Sequence, residues 1–228
     1  MFYIIHLTIC KLIYGEFSKE YFFLCQRYKK KYPNLNVMLK RCFITDPVLR
    51  FDNIILRNSS FPVFKTSRPI HFEKNAFGAD IREIVRSKGK AICVNYMEAG
   101  NDLIKVVGYR TRILDLTTLL LFYSSHGKFF FGEYSFSNKH KEAWGQIAVA
   151  LFDKYSISDQ GERKQFYIED DNGSILCFHD DGFVLSIKYF NSAACVPYEQ
   201  LRYMFTQSKV VSGVPVQDSF VNSMSDRL

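Results

Sequence analysis

Residues 164–190 read KQFYIEDDNGSILCFHDDGFVLSIKYF. Three runs of alternating, aromatic and β-branched residues are separated by Asp171-Asn172-Gly173 and Asp180-Asp181-Gly182. Alternation is the signature of a strand, and Asn-Gly or Asp-Gly between two such runs is a hairpin turn. Strands are therefore expected at 164–170, 174–179 and 183–190. With Asn172-Gly173 and Asp181-Gly182 read as two-residue loops, Ile168 pairs with Cys177 and Phe178 with Leu185. One face then carries Tyr167, Leu176, Phe178, Phe183, Leu185, Ile187 and Tyr189, a core face. The other carries Phe166, Ile168, Ile175, Cys177, His179, Val184, Ser186 and Lys188, and is too apolar to be left in water.

Working outward, residues 141–155 place Trp144, Ile147, Ala148, Leu151 and Tyr155 on one helical face. A helix is expected there, and another over 198–207. The same plan stands upstream. Asp80 to Lys88 is a short helix with Ile81, Ile84 and Val85 inward, stopped at Gly89. Strands are expected at 91–97, 103–113, 117–124 and 128–136, broken by turn residues. In the last of these, Phe130, Tyr134 and Phe136 are expected inward, with Phe129 and Phe131 opposite. Further back, Phe17, Tyr21, Leu24, Cys25, Tyr28 and Tyr32 recur at helical spacing until Pro33. Residues 34–75 read as an irregular connector in which 37–44 and 50–56 have the composition of short strands. The fold class is α+β: two helix-backed antiparallel meanders, a tandem αβββ plan, behind an N-terminal amphipathic helix. The divisions are 1–75 (basic helix and connector), 76–140 and 141–210 (the two helix-plus-sheet units), and 211–228 (a tail).

The stretch F-G-A-D-I-R-E-I-V-R-S-K-G-K, followed by strands, is similar to the small envelope domains of the BamE and β-lactamase-inhibitor-protein type. The resemblance covers about residues 77–136 and rests on Gly78, Gly89 and the Ile81/Ile84/Val85 spacing. The proline usual after the helix-ending glycine is replaced by Lys90-Ala91. The resemblance implies protein binding on a sheet face and an envelope or secreted location.

Charge is lopsided. Residues 1–75 hold 13 Lys/Arg against 5 Asp/Glu, so the whole basic excess of +7 lies in the first third. A basic segment suits nucleic acid or an anionic membrane. Lys29, Lys30 and Lys31 also fill the last turn of a helix, where cations suit the dipole without any ligand. The run from Phe2 to Tyr14 is too short to span a bilayer. It lacks the basic start and small-residue cleavage site of an ordinary signal peptide, so it makes at most a degenerate signal on a soluble chain. The six cysteines form no C-x-x-C pair and read mostly as small buried hydrophobes.

No nucleotide-binding loop, nucleophile elbow or zinc-protease motif occurs in the sequence, and no cofactor or metal is expected. The leading expectation is a non-catalytic module that binds a protein partner through the second sheet face. Phe129, Phe131, Ile168, Ile175 and Val184 would form the contact, with His179 and Lys188 at its rim. The first alternative is a hydrolase or transferase using Cys177 and His179, which alternation puts on one face. The second is a nucleic-acid binder using Lys29, Lys30, Lys31, Lys40 and Arg41. The aromatics between those lysines fall on the buried helical stripe, which weighs against it.

Overall fold

The computed structural model describes residues 2–16, 18–31, 51, 53–57, 60–137, 143–158, 161 and 163–203. Two helices open the chain, α1 (Phe2–Tyr14) and α2 (Lys19–Lys31). A short strand, β1 (Val63–Thr66), precedes the first helix-plus-sheet unit: α3 (Ile81–Lys88), β2 (Cys93–Ala99), β3 (Asp102–Ile113), β4 (Leu116–Ser125) and β5 (Lys128–Ser137). The second unit is α4 (Ala143–Lys154), β6 (Gln165–Asp170), β7 (Ser174–Asp180) and β8 (Val184–Asn191). The α+β class and its two helix-backed meanders stand as expected. The meanders share one sheet, because β5 and β8 pair antiparallel, and its order is β1-β6-β7-β8-β5-β4-β3-β2.

Local chemistry fixes the helices. Asp80 caps α3 by accepting from the Arg82 amide at 2.8 Å, and Gly89 ends it with φ 77° and an amide bond to the Val85 carbonyl. The backbone just before α3 pairs with the start of β5, through Gly78 N to Phe129 O (2.7 Å) and Phe129 N to Ala79 O (2.9 Å). The α1–α2 turn is made at Gly15, and the Ser18 hydroxyl accepts from the Tyr21 amide to start α2.

The hairpin registers differ from the expected ones by amounts that matter. Ile168 pairs with Leu176 rather than Cys177, because the turn holds three residues. Asp170 Oδ1 accepts from the amides of both Asn172 and Ser174, and Gly173 takes φ 72°. One extra residue reverses parity, so Phe166 and Ile168 lie on the face with Leu176 and Phe178, and Tyr167 takes the opposite one. Phe178 pairs with Ile187, a shift of two that keeps the paired β7–β8 side chains on their expected faces but leaves Phe183, expected in the core, before β8 and 77% exposed. In β5 a bulge opposite Tyr123/Ser124 leaves Phe130 as the extra residue. Phe129 therefore joins Tyr134 and Phe136, while Phe130 and Phe131 share the other face.

Both faces are cores. On the first, α3 and α4 cover Phe122, Phe129, Phe166, Phe178, Leu185 and Ile187. Phe152 meets Phe166 tilted at a centroid distance of 4.7 Å, and Phe166 stacks on Phe178 at 4.8 Å. The second face is covered in part by Phe51, Ile54 and Ile55, and by Cys195 and Leu201. Phe51 and residues 53–55 are helical, not the strand expected over 50–56. The segment has too few residues in ordered alternation to add to the sheet, and it turns its apolar side down on Phe131 and Tyr123. β1, unforeseen inside the connector, pairs parallel with β6 and is tied there by Lys65 and Arg57 to the Glu169 carboxylate (2.9 and 3.1 Å). Residues 198–203 begin the expected last helix. The stretches 37–44, 204–210 and 211–228 lie outside the described residues.

A close approach anchors the segment between β1 and α3. Phe72 packs against Gly132 of β5, where a Cβ would stand 2.2 Å from the ring. The ring also meets Phe122, Tyr134 and Tyr189 at centroid distances of 5.0, 4.8 and 5.1 Å. Gly132→Ala should cost about 2–3 kcal/mol in urea denaturation, because the methyl overpacks a filled site. In a Phe72→Ala background the same change should cost almost nothing. Additive losses in the double variant would show that the two positions do not share a contact.

Candidate functional site

The second face carries a row of polar residues set by the strand registers. Tyr167 of β6 stands beside Cys177 of β7, Cys177 beside Lys188 of β8, and Lys188 opposite Glu133 of β5. Glu133 is 1% exposed and Lys188 4%, so both charged groups lie inside an apolar layer, where an unpaired charge would be costly. Tyr123 donates its hydroxyl proton to Glu133 Oε2 at 3.2 Å. At the margin, Asn53 lies over the row: its carbonyl accepts from the Tyr167 hydroxyl at 2.5 Å, and its amide Nδ2 donates to His179 Nδ1 at 3.1 Å.

Cys177 and His179 do lie on one face two residues apart, but their chemistry is quiet. Burial drives the Cys177 thiol up to about 12, and the nearby Lys188 charge and the Tyr167 hydroxyl only partly offset it. At neutral pH it is a protonated thiol, and the thiolate is the nucleophile and the metal ligand. Burial lowers the His179 pKa, the Lys188 charge pushes the same way, and Asp181 and Asp180 oppose both. The imidazole is therefore neutral, with Nδ1 occupied as an acceptor. Cys10, Cys177 and Cys195 are buried free thiols and Cys25 is buried, while Cys93 is disulfide-bonded. Among the described residues no three His, Cys, Asp or Glu side chains gather to hold a metal ion.

The expected contact patch is not one surface. Phe129 and Ile168 are sealed on the helix-covered face. Phe131 and Ile175 are on the second face but fully buried, Phe131 against Phe51, Tyr123 and Phe190. Lys188 lies beneath that layer rather than at a rim, and Val184 alone is exposed, at the start of β8. The bulge and the three-residue turn separated these residues, and the connector covers those left together. Of the basic set, Lys29, Lys30 and Lys31 are exposed at the end of α2, whereas Lys40 and Arg41 lie outside the described residues. Tyr28 is held by α1, sharing a 2.8 Å hydrogen bond with His6, so it is not a free platform for a base.

A surface not foreseen as a site is more conspicuous. α2 docks on the sheet edge through Phe22 and Tyr96 (5.2 Å), and α1 packs on α2 with Leu7 and Cys10 inward. The opposite face of α1 presents Ile5, Ile9, Leu12 and Ile13, with exposures of 53, 48, 80 and 67%. These positions follow i, i+4, i+7 and i+8, one helical stripe. The spacing was readable in the sequence; that the stripe faces away from the body was not. The Tyr3–Tyr28 contact sets Lys29, Lys30 and Lys31 beside the start of α1, and Lys11 and Lys19 lie at its other end.

No protein-family model, no curated protein and no solved structure matches the chain.

The site's protonation states have a measurable consequence. A histidine whose folded-state pKa is depressed is protonated first in the unfolded chain, so its contribution is intact above about pH 6.5 and is lost as pH falls below that value. The urea midpoint of the wild type should fall on acidification more than that of His179→Asn. Iodoacetamide should leave Cys177 unlabelled in the native protein at neutral pH and label it in urea, read by peptide mass spectrometry. Fast native labelling would mean an activated thiol and restore the nucleophile reading.

Proposed function

We propose that this protein is a non-catalytic binding module that docks on an anionic membrane surface through the bare face of α1. The observation that carries the reading is the stripe of Ile5, Ile9, Leu12 and Ile13, flanked at both ends by lysines. Contiguous exposed apolar surface with a polar border marks an interaction site. A helix of this kind lies in the plane of a bilayer interface; none of the helices among the described residues is long and apolar enough to cross one.

Magnitudes favour a charged bilayer. Fully burying a Leu or Ile side chain is worth about 1.5–3 kcal/mol, so four that are half to four-fifths exposed supply about 5 kcal/mol. That is the scale of a single myristoyl chain, which holds a protein only marginally. Each lysine near an anionic surface adds about 1 kcal/mol. Lys29, Lys30 and Lys31 together supply the second signal that stable anchoring takes. An interaction role was also the expectation from sequence, through a sheet face to a protein. The proposal keeps the role and moves the surface, because the sheet faces are occupied by the chain itself. The likeness of residues 77–136 to small envelope domains and the disulfide at Cys93 fit an oxidising envelope or secreted setting.

Co-sedimentation with vesicles tests the proposal. The wild type should bind phosphatidylcholine–phosphatidylserine vesicles, and Leu12→Asp should abolish binding with an unchanged circular dichroism spectrum. The triple change Lys29→Glu, Lys30→Glu, Lys31→Glu should weaken binding about a hundredfold or more and remove its dependence on phosphatidylserine. A wild type that stays in the supernatant overturns the reading. So does a wild-type dimer in light scattering that Leu12→Asp dissociates, since the stripe would then belong to a second copy.

A further inference from the structure

Between the ends of α3 and α4, on the helix-covered face, a cavity of about 690 Å³ opens over β5 and β8. A tight turn forms one wall. Phe72 and Asn75 exchange both backbone hydrogen bonds, leaving Glu73 and Lys74 as a two-residue loop with φ 51° and 64°. Such a loop needs positive φ at both positions and usually carries Asn-Gly. Glu and Lys take the conformation at a cost in backbone strain, which is stored where side-chain placement matters. Asn75 Nδ2 steadies the turn by donating to the Phe72 and Glu73 carbonyls (3.2 and 2.9 Å). Phe72, on Gly132, fixes it to the sheet.

The turn aims Glu73 into the cavity. Its carboxylate accepts from the Lys88 ammonium and the Tyr134 hydroxyl. Burial works to raise its pKa, but those two hydrogen bonds and the charges of Lys88 and Lys154 outweigh it, and the net shift is downward. Glu73 is an anion, held by the hydrogen bond from Lys88 and by the charges of Lys88 and Lys154. Lys74 and Lys154 also line the cavity and make no salt bridge among the described residues. Lysines at helix ends ordinarily answer the dipole. Here that demand is met by other groups: Arg68 donates to the Lys154 carbonyl at 2.6 Å, and the Gly89 amide caps α3. Lys154 also lies 5.0 Å over the Tyr155 ring, and its charge acts on Glu73; three lysines against one carboxylate still leave a net of two positive charges around one space, lined also by the rings of Tyr134 and Tyr189 (5.9 Å apart).

We infer that this cavity binds a small organic phosphate monoester, its dianion held by Lys74 and Lys154 and its organic part laid on Tyr134 and Tyr189. A phosphate monoester carries about −1.5 to −2 charge at neutral pH, which matches the net charge of three lysines against one carboxylate; a monocarboxylate leaves one positive charge over. Lysine is a point-charge phosphate binder that needs no fixed fork geometry. The volume exceeds what an inorganic phosphate fills and lies in the range of small-molecule sites. Burial, with the neighbouring Glu73, holds the Tyr134 hydroxyl well above the usual tyrosine range, so it keeps its proton.

Titration of the full chain with phenyl phosphate, followed by calorimetry and by amide chemical shifts, tests the site. Binding should move signals in the 72–75 turn and at the ends of α3 and α4. Lys74→Gln with Lys154→Gln should weaken it at least tenfold without changing the fold. Glu73→Gln, which removes a negative charge and keeps an acceptor for Tyr134, should tighten it. Benzoate, the monoanion of similar shape, should bind at least tenfold more weakly. Equal affinity of phenyl phosphate and benzoate, or unchanged affinity in the double variant, overturns the inference. The same monoester also occurs on phosphatidic acid. Loss of binding to phosphatidic-acid vesicles in the double variant, with phenyl phosphate as competitor, would place it on a lipid. Leu12→Asp should leave phenyl phosphate binding untouched, which keeps failure of this site distinct from failure of α1 docking.

Discussion

Both faces of the eight-stranded sheet are apolar, and the need to cover both places most of the remaining chain. A sheet with one wet face needs one layer; this one needs two. α3 and α4 supply the first, each short and each leading directly into the meander it covers. The second comes in part from residues far apart in sequence, Phe51, Ile54 and Ile55 on one side and Cys195 and Leu201 on the other, which converge on Phe131, Tyr123 and Ile175. The connector therefore has to return across the sheet before the first unit begins. β1 pins it at the β6 edge and Phe72 pins it on β5. The outer face of α1 stays uncovered as a continuous helical stripe, because α2 lies between α1 and the sheet edge.

Much of this was legible in the residues. Every expected strand of the two meanders forms within about two residues of its expected ends, since alternation bounded by Gly, Asn and Asp is a local signal. So were α3, with Asp80 and Gly89 as its caps, and α4, with Trp144, Ile147, Ala148 and Leu151 inward. Parity was not legible. Asp171-Asn172-Gly173 serves equally as two turn residues or three, and the choice is made by Asp170 reaching back to two amides. The bulge at Phe130 left no mark either, because Phe129, Phe130 and Phe131 are identical side chains. β1 was missed because four residues carry too little alternation, and its parallel partner lies a hundred residues away.

The functional surfaces divide the same way. Cys177 and His179 were found because a sequence displays reactive residue types, but it does not display the desolvation that keeps the thiol protonated. The lysine-rich first third was visible as charge and not as geometry. Its exposed part flanks an apolar helix, a pairing that follows from the α1–α2 turn at Gly15. The cavity at Glu73 could not be read at all. Its groups come from a turn, two helix ends and two strands, and they meet only because Gly132 lacks the side chain that would keep Phe72 off the sheet.

A sheet that is apolar on both sides loses the usual check on strand register. In an ordinary amphipathic strand, a one-residue slip turns the hydrophobic set to water and is heavily penalised. Here it would exchange one apolar face for another. Register must then be held by residues that are not interchangeable across the sheet. Gly132 is one, since only there can Phe72 descend. Glu133 and Lys188 are the next, directly opposite on β5 and β8 and both inside the second layer. A slip of β5 along β4 would take Glu133 away from the Tyr123 hydroxyl that donates to it at 3.2 Å and leave a buried polar group short of that partner. The two constraints are adjacent in sequence and point to opposite faces, so together they fix both the position and the parity of β5. From β5 the alignment passes to β8 and β4, on the seam where the two meanders become one sheet.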